Sequence, residues 1–134
     1  MPLRSVFTPI SAAVAFAFAA PGAAFAAYPD KPIRLIVPFA AGGAVDAVAR
    51  TLAAALHDTL DQRVIVETRA GASGTIGAEA VARSPSDGYT LLLTASTVVV
   101  NPFIMKEKPR FDTIKDLTAL NLVASGPLLF VAAP

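Results

Sequence analysis

The sequence contains no cysteine, no tryptophan and a single histidine in 134 residues. A chain without cysteine has neither a disulfide framework nor a thiol nucleophile, which excludes disulfide-stapled domains and cysteine enzymes. One histidine, His57, is too few for the His and Cys clusters that hold zinc in proteins. We therefore expect neither a metal site nor thiol chemistry.

An excess of charge of one sign is also missing. Eleven Lys and Arg residues are balanced by ten Asp and Glu residues, which gives a formal net charge of +1. The sequence has no Lys/Arg cluster that could follow a phosphate backbone, so nucleic-acid binding has no electrostatic support. We expect no nucleic-acid partner.

The first 26 residues have the pattern of a cleavable secretory signal peptide. Arg4 supplies a positive charge, residues 10–20 are uncharged and apolar, and Ala24-Phe25-Ala26 has the small-x-small form of a signal-peptidase site. The apolar stretch is shorter than the about 20 residues that a membrane-spanning helix needs. We expect residues 1–26 to be removed on export to the periplasm, which leaves 27–134 as the mature chain.

Alternating strand and helix patterns fill the mature chain. Short apolar or β-branched runs predict strands at 33–37, 64–67, 90–95, 120–125 and 128–132. Between them, apolar residues recur at helical spacing over 45–60 and 76–83. Near-continuous apolar strands separated by helices are typical of a parallel sheet with flanking helices. The predicted fold class is α/β.

In parallel sheets of this kind, ligands bind beyond the carboxyl ends of the strands. The first loop (38–44), the second loop (70–75) and the third loop (95–102) follow predicted strands and are rich in small and hydroxyl residues. The first loop has no cation, so it must hold an anion by backbone N–H groups, the helix dipole or bridging water. The predicted ligand contacts are Ala41, Gly42, Gly43, Ala44, Asp46, Ser73, Gly74, Thr75, Ser96, Thr97 and Asn101.

Each of these residues also has a simpler structural interpretation, which the sequence leaves open. The paired glycines could only turn the chain from strand to helix. Asp46, in the first helical turn, could only stabilise the helix dipole, by about 0.3–1 kcal/mol. Ser73 or Thr75 could cap the second helix, and Asn101 before a proline could stabilise a turn.

No catalytic constellation emerges from the sequence. The glycines of 71–77 are spaced G-x-x-G-x-x-G, which is neither the dinucleotide-binding fingerprint nor a phosphate-binding P-loop. Ser73 lacks the G-x-S-x-G context of a hydrolase nucleophile, and His57 beside Asp58 is typical of a solvated helix end. We expect no catalytic residue, no cofactor and no enzyme activity.

Several ordered motifs resemble one protein family. They are the run 28–39, Gly42-Gly43 followed by Asp46 and Ala49-Arg50, the run 66–79, the run 87–92, Asn101-Pro102 and Val123-Ala124-Ser125. Together they resemble the extracytoplasmic solute receptors of tripartite tricarboxylate transport systems, also called the Bug family, from Tyr28 to the end of the chain. Two positions depart from the family pattern. Ala70 stands where Pro is frequent, and Val45 stands where Ser or Thr is usual, so its hydroxyl is lost or replaced by that of Ser73 or Thr75.

The resemblance implies a periplasmic-binding-protein type II-like fold, in which two domains close on a ligand. Receptors of the family are more than twice as long, so we expect 27–134 to be the N-terminal part of domain one, an incomplete first lobe, with the second domain missing. The implied function is periplasmic binding of a small organic acid or amino acid, whose carboxylate is held by backbone amides and ordered water. In a full-length context the implied partners are membrane transporter subunits.

Two functions of other classes remain as alternatives. A secreted α/β enzyme domain, hydrolase-like in fold, would need a nucleophile and a base that the sequence does not supply. A non-functional truncated remnant would be distinguished from a working receptor by whether the gene continues past Pro134.

We predict export with cleavage after Ala26, because Ala24-Phe25-Ala26 follows a short apolar stretch. Mass spectrometry of the periplasmic fraction should find an N-terminus at Ala27. A cytoplasmic chain that keeps Met1 would contradict this prediction.

Overall fold

The computed structural model describes residues 27–126. The predicted signal peptide and the predicted strand at 128–132 lie outside the described residues. The elements in chain order are β1 (Ile33–Val37), α1 (Ala44–Leu60), β2 (Val64–Thr68), a 3₁₀ turn (Ala72–Gly74), α2 (Thr75–Ala82), β3 (Thr90–Leu92) and α3 (Thr97–Ile104). Within this part of the chain, no helix is both long enough and apolar enough to span a bilayer.

The three strands form one parallel sheet in the order β2-β1-β3. At their carboxyl ends Val37 of β1 pairs with Thr68 of β2, and Ile36 of β1 pairs with Leu92 of β3. Because all three strands run in the same direction, these ends lie at a single edge of the sheet. The structure confirms the α/β class with a parallel sheet and flanking helices.

The core is built around the central strand β1. Leu35 and Val37 are at most 3% exposed and pack against Ala49 of α1, which is fully buried. Ile36 is also buried, although alternate residues of a strand point to opposite faces. Both faces of β1 are therefore covered, which explains why its sequence is almost continuously apolar.

The N-terminal segment is fastened to the turn that precedes β3, at the opposite edge of the sheet. The hydroxyl of Tyr28 donates to the carbonyl of Gly88 at 2.8 Å, and Lys31 Nζ pairs with Asp87 Oδ2 at 3.1 Å. The rings of Tyr28 and Tyr89 lie 4.9 Å apart between centroids. Two motifs far apart in the sequence thus form one contact, which orders the entry into β1.

Most of the third loop is a helix, which the sequence analysis did not predict. The run Val98-Val99-Val100 favours a strand, and Pro102 inside α3 has no N–H to donate. The carbonyl of Val98, four residues before the proline, instead accepts a hydrogen bond from Thr113 Oγ1 at 3.2 Å. A contact from a later segment therefore replaces the bond that Pro102 removes from the helix.

The predicted strand at 120–125 is wrong. These residues have no regular secondary structure and are exposed. A strand needs hydrogen-bonded neighbours, and within 27–126 β3 pairs only with β1. Apolar composition alone does not supply a pairing partner. β3 itself ends at Leu92, three residues before its predicted end.

We predict that Gly77→Ala destabilises the fold. Gly77 lies in α2, where a Cβ would sit 2.7 Å from Pro38 Cβ and 3.0 Å from the carbonyl oxygen of Arg69. Alanine normally favours a helix over glycine by about 1 kcal/mol, but overpacking of this kind costs about 1–3 kcal/mol. We expect a net loss of about 1–2 kcal/mol in the free energy of unfolding, measured by urea denaturation.

The matched control is Gly126→Ala, because a Cβ at Gly126 has no atom within 4 Å. It should leave the stability unchanged to within about 0.5 kcal/mol. Equal stability of the two variants would show that α2 does not pack closely against Pro38.

Candidate functional site

The carboxyl edge of the sheet carries three helix N-termini. Each loop leads from a strand into a helix, and the first helical residues are Ala44, Thr75 and Thr97. The first N–H groups of a helix have no intrahelical acceptor, and they carry about half a positive charge. The residues before these helices make no side-chain capping bond; they are Gly43, Gly74 and Ser96. The edge therefore presents backbone donors to an anion, although the N–H groups of Gly43, Gly74 and Val98 already donate to carbonyls of their own loops.

Asp46 stabilises the first loop through a partly buried hydrogen bond. The residue is 3% exposed, and Oδ2 accepts hydrogen bonds from the N–H of Gly42 at 2.8 Å and from Arg50 Nε at 3.0 Å. Gly42 has a φ of +81°, a conformation that glycine adopts without steric cost. The four small residues at 41–44 are exposed. The loop thus presents bare backbone to solvent, while its acidic residue faces inward.

The charge of Asp46 is balanced within the protein. The hydrogen bond from Arg50, followed by that from the N–H of Gly42, lowers the pKa of the Asp46 carboxyl below its ordinary value. The same ion pair raises the pKa of Arg50. Because Arg50 offsets the charge of the Asp46 carboxylate, it weakens the repulsion between Asp46 and an anion beside the first loop.

The second loop contains a left-handed segment. Gly71, Ala72, Ser73 and Gly74 have φ values of 135°, 46°, 54° and 93°. For a residue other than glycine, the left-handed conformation costs about 1–2 kcal/mol. A Cβ at Gly74 would lie 3.5 Å from Pro38 Cβ, so the second loop packs against the first. The segment thus holds two residues other than glycine, Ala72 and Ser73, in an unfavourable conformation.

Asn101 joins the third loop to the second. Its side chain is 2% exposed, and Nδ2 donates to the carbonyl oxygen of Ser73 at 3.0 Å and to Thr75 Oγ1 at 3.3 Å. Thr75 Oγ1 lies 3.6 Å from Met105 Sδ and donates to it. The sequence alternatives for these residues are wrong. Asn101 lies within α3 rather than in a turn, and neither Ser73 nor Thr75 forms a side-chain helix cap.

The predicted contacts divide by exposure. The exposed members are Ala41, Gly42, Gly43, Ala44, Ser73 and Ser96. The buried members are Asp46, Gly74, Thr75 and Asn101, and Thr97 is half-buried. Within 27–126, the buried side-chain oxygens without a hydrogen-bond partner are Asp46 Oδ1 and Thr97 Oγ1, each in the first turn of a helix at this edge. Such groups normally bond to protein or to ordered water.

Sequence reasoning missed the residues that support the loops. Arg50 could have been found, because it follows Asp46 by four residues, the spacing at which helical side chains meet. Met105 and Thr113 carry no local signal, since they reach the site only through the fold.

The groups at this site can donate hydrogen bonds to a ligand. They are backbone N–H groups and the hydroxyls of Ser73 and Ser96, together with the helix dipoles. In the described part of the chain, no group of three His, Cys, Asp or Glu residues could hold a metal ion. His57 Nδ1 lies 3.1 Å from the carbonyl oxygen of Gln62, near the far end of α1.

Known proteins share this architecture. Residues 48–134 match the sequence profile described as tripartite tricarboxylate transporter family receptor. Protein BugT of Bordetella pertussis is 45% identical over 109 residues, which are 80% of this chain and 33% of BugT. A solved periplasmic transporter is 47% identical with a TM-score of 0.62, over 66% of this chain and 30% of its own. An R. palustris protein solved with adipate is 32% identical with a TM-score of 0.62, over 65% of this chain and 29% of its own.

The chain spans about a third of the length of the curated relative and a similar share of the solved structures. The similarity to periplasmic binding proteins agrees with the expected fold over the part that is shared.

We predict that Asp46→Asn flattens the dependence of stability on pH. A lowered pKa means that Asp46 stabilises the folded chain above the ordinary Asp pKa of 3.8, and that this contribution is lost as pH falls through the lower folded-state pKa. Urea denaturation from about pH 5 to about pH 2 should therefore show a steeper loss of stability in the wild type than in Asp46→Asn.

Asp58→Asn is the control, because it removes the same charge from an exposed position of α1. It should keep the wild-type slope. If Asp46→Asn also keeps that slope, the bonds from Arg50 and Gly42 do not stabilise the fold.

Proposed function

Because this chain belongs to the tripartite tricarboxylate transporter receptor family, we propose that it forms the part of a periplasmic solute receptor that binds one carboxylate group of a small organic acid. The proposal rests on one observation: three helix N-termini and the exposed backbone of 41–44 lie at the carboxyl edge of one parallel sheet. This arrangement supplies donors for an anion without a dedicated cation.

Electrostatics favour a carboxylate bound by backbone groups. None of the three loops at this edge contains Lys or Arg. Arg69, directly before the second loop, shares the single carboxylate of Glu67 with Arg34, each at 2.6 Å, so this cluster keeps one positive charge that is not offset. The three loops themselves attract an anion through the helix N-termini, each worth about 0.3–1 kcal/mol, and through charge-assisted hydrogen bonds of about 1.5–3 kcal/mol each.

These magnitudes set the expected affinity. Two or three such bonds must offset the cost of immobilising the ligand, which is about 4–15 kcal/mol. This edge alone should therefore bind a small carboxylate only weakly, with a Kd near the millimolar range, about −4 kcal/mol. We propose that tight binding needs a second lobe, since the relatives are about three times as long as the matched region.

The proposed ligand class is a small mono- or dicarboxylate. Backbone N–H groups bind the carboxylate and contribute little specificity for the rest of the ligand. The relative solved with adipate supports this class. By the same family relation we propose a periplasmic location and, for a full-length receptor, delivery of the ligand to membrane transporter subunits.

We propose recognition without catalysis. His57 lies thirteen residues after Ala44, the first residue of α1. At 1.5 Å per residue, it is about 20 Å along the helix axis from the N-terminus at the candidate site. The loops offer hydroxyls but no base to activate them, which argues against the hydrolase-like alternative.

The test is an NMR titration of the ¹⁵N-labelled chain with adipate, because chemical shifts detect millimolar binding. We predict saturable shifts in the amides of 42–45, 73–75 and 96–98. The neutral probe 1,6-hexanediol has a six-carbon chain without carboxylates. It should leave the chemical shifts of these amides unchanged. Equal shifts with both probes would contradict carboxylate recognition.

We further predict that Gly43→Val abolishes these adipate shifts while the fold is kept. Gly43 has φ −77° and ψ 170°, an extended conformation that valine adopts readily. The added side chain covers the exposed backbone at the start of α1. Gly126→Val, the same substitution in open space, should bind adipate like the wild type. Unchanged binding by Gly43→Val would reduce the paired glycines to turn formers.

A further inference from the structure

We propose that Asn101 is a positioning residue that holds the left-handed segment 71–74 in the conformation needed to bind a carboxylate. The inference rests on the proposed function for the role of that segment. The conformation of the segment itself can be measured without any ligand, so the two proposals can fail separately.

Both donors of the Asn101 side-chain amide are used within the protein. An amide NH₂ has two donors, and Nδ2 of Asn101 has two acceptors, the carbonyl oxygen of Ser73 at 3.0 Å and Thr75 Oγ1 at 3.3 Å. The residue is also 2% exposed. Its amide therefore has no donor left for a ligand, which argues for an indirect role in place of the contact expected from the sequence.

The carbonyl that Asn101 holds belongs to a strained residue. Ser73 has a φ of 54° and follows Ala72 with a φ of 46°, and alanine has no side-chain group that could stabilise this conformation. Within the segment, the N–H of Gly74 donates to the carbonyl of Gly71 at 3.0 Å. Strained backbone persists where the surroundings fix it, and the contact from Asn101 comes from 28 residues along the chain.

The Asn101 side chain also connects α3 to the N-terminus of α2. Thr75 is the first residue of α2, and Asn101 lies in α3, whose first residue is Thr97. The bond from Asn101 to Thr75 is buried. It therefore sets the position of one helix N-terminus relative to the other, and both N-termini supply donors to the proposed carboxylate site.

Asn101→Asp is the most informative variant, because the side chain keeps its shape. An ionised aspartate only accepts hydrogen bonds, so at pH 7 it would face the Ser73 carbonyl without a donor. Its protonated form regains one O–H donor. Burial and the neighbouring carbonyl oxygen should raise the pKa of this carboxyl, so acidification should restore the contact.

The ligand-free readout is the ¹H–¹⁵N shifts of residues 71–75. We expect Asn101→Asp to displace them at pH 7 and to return them toward the wild-type values at pH 4.5, with the wild type measured at both pH values. With adipate at pH 7, the variant should bind at least tenfold more weakly than the wild type.

Thr113→Val is the matched control. Thr113 Oγ1 donates to the Val98 carbonyl, so this variant also removes one side-chain bond to α3 but touches no residue of 71–75. It should leave the ¹H–¹⁵N shifts of 71–75 at their wild-type values. Asn101→Ser covers the case in which Asn101→Asp does not fold at pH 7. It should change the shifts of the same amides, without recovery at pH 4.5. It should also weaken the affinity for adipate tenfold.

Two results would overturn the proposal. The first is that Asn101→Asp and Asn101→Ser leave the shifts of 71–75 at their wild-type values, as Thr113→Val does. The second is a displaced segment in Asn101→Asp that does not recover on acidification. If the wild type binds no adipate, the proposed function fails, but the ligand-free shifts still decide whether Asn101 positions the segment.

Discussion

The site depends on one constraint, the common direction of the three strands. β1 pairs in parallel with both β2 and β3, so each strand ends at the same edge and each following loop must begin there. A helix that returns along the sheet then starts at that edge and directs its N-terminal N–H groups outward. One antiparallel strand would have moved one of the three helix N-termini to the far side. The proposed binding of an anion at this edge is thus favoured by the topology before any particular side chain is considered.

Topology gathers the loops, but buried polar side chains give them their shape. Asp46 fixes the first loop through the N–H of Gly42, and Asn101 fixes the second through the carbonyl of Ser73. Both residues are at most 3% exposed, and at such buried positions unmade hydrogen bonds are costly while those that form restrict the backbone strongly. Recognition by backbone needs such support, because the position of an N–H group can be controlled only by controlling the chain around it.

The sequence predicts the regular elements better than the site. Strand β1 is confirmed with its predicted bounds, since four apolar residues in a five-residue run have few alternatives to a buried strand. α3 was missed because Val98-Val99-Val100 and Pro102 disfavour a helix locally, while Thr113 supplies the support from a distance. The loops were located correctly at the sheet edge, but the sequence could not separate ligand contacts from supporting residues. That distinction depends on burial and on contacts such as the one between Asn101 and Ser73.

Val45 lies where the family resemblance leads us to expect the hydroxyl of a Ser or Thr. It is half-buried and packs against the cluster of Leu35, Val37 and Ala49, so it contributes to the core. Thr75 does not replace that hydroxyl, because its Oγ1 accepts from Asn101 and donates to Met105. Ser73 is exposed and lies on the segment that Asn101 holds. Under the proposed function, the side-chain contribution of the first two loops to a carboxylate falls to Ser73, whose carbonyl is held by Asn101 of α3.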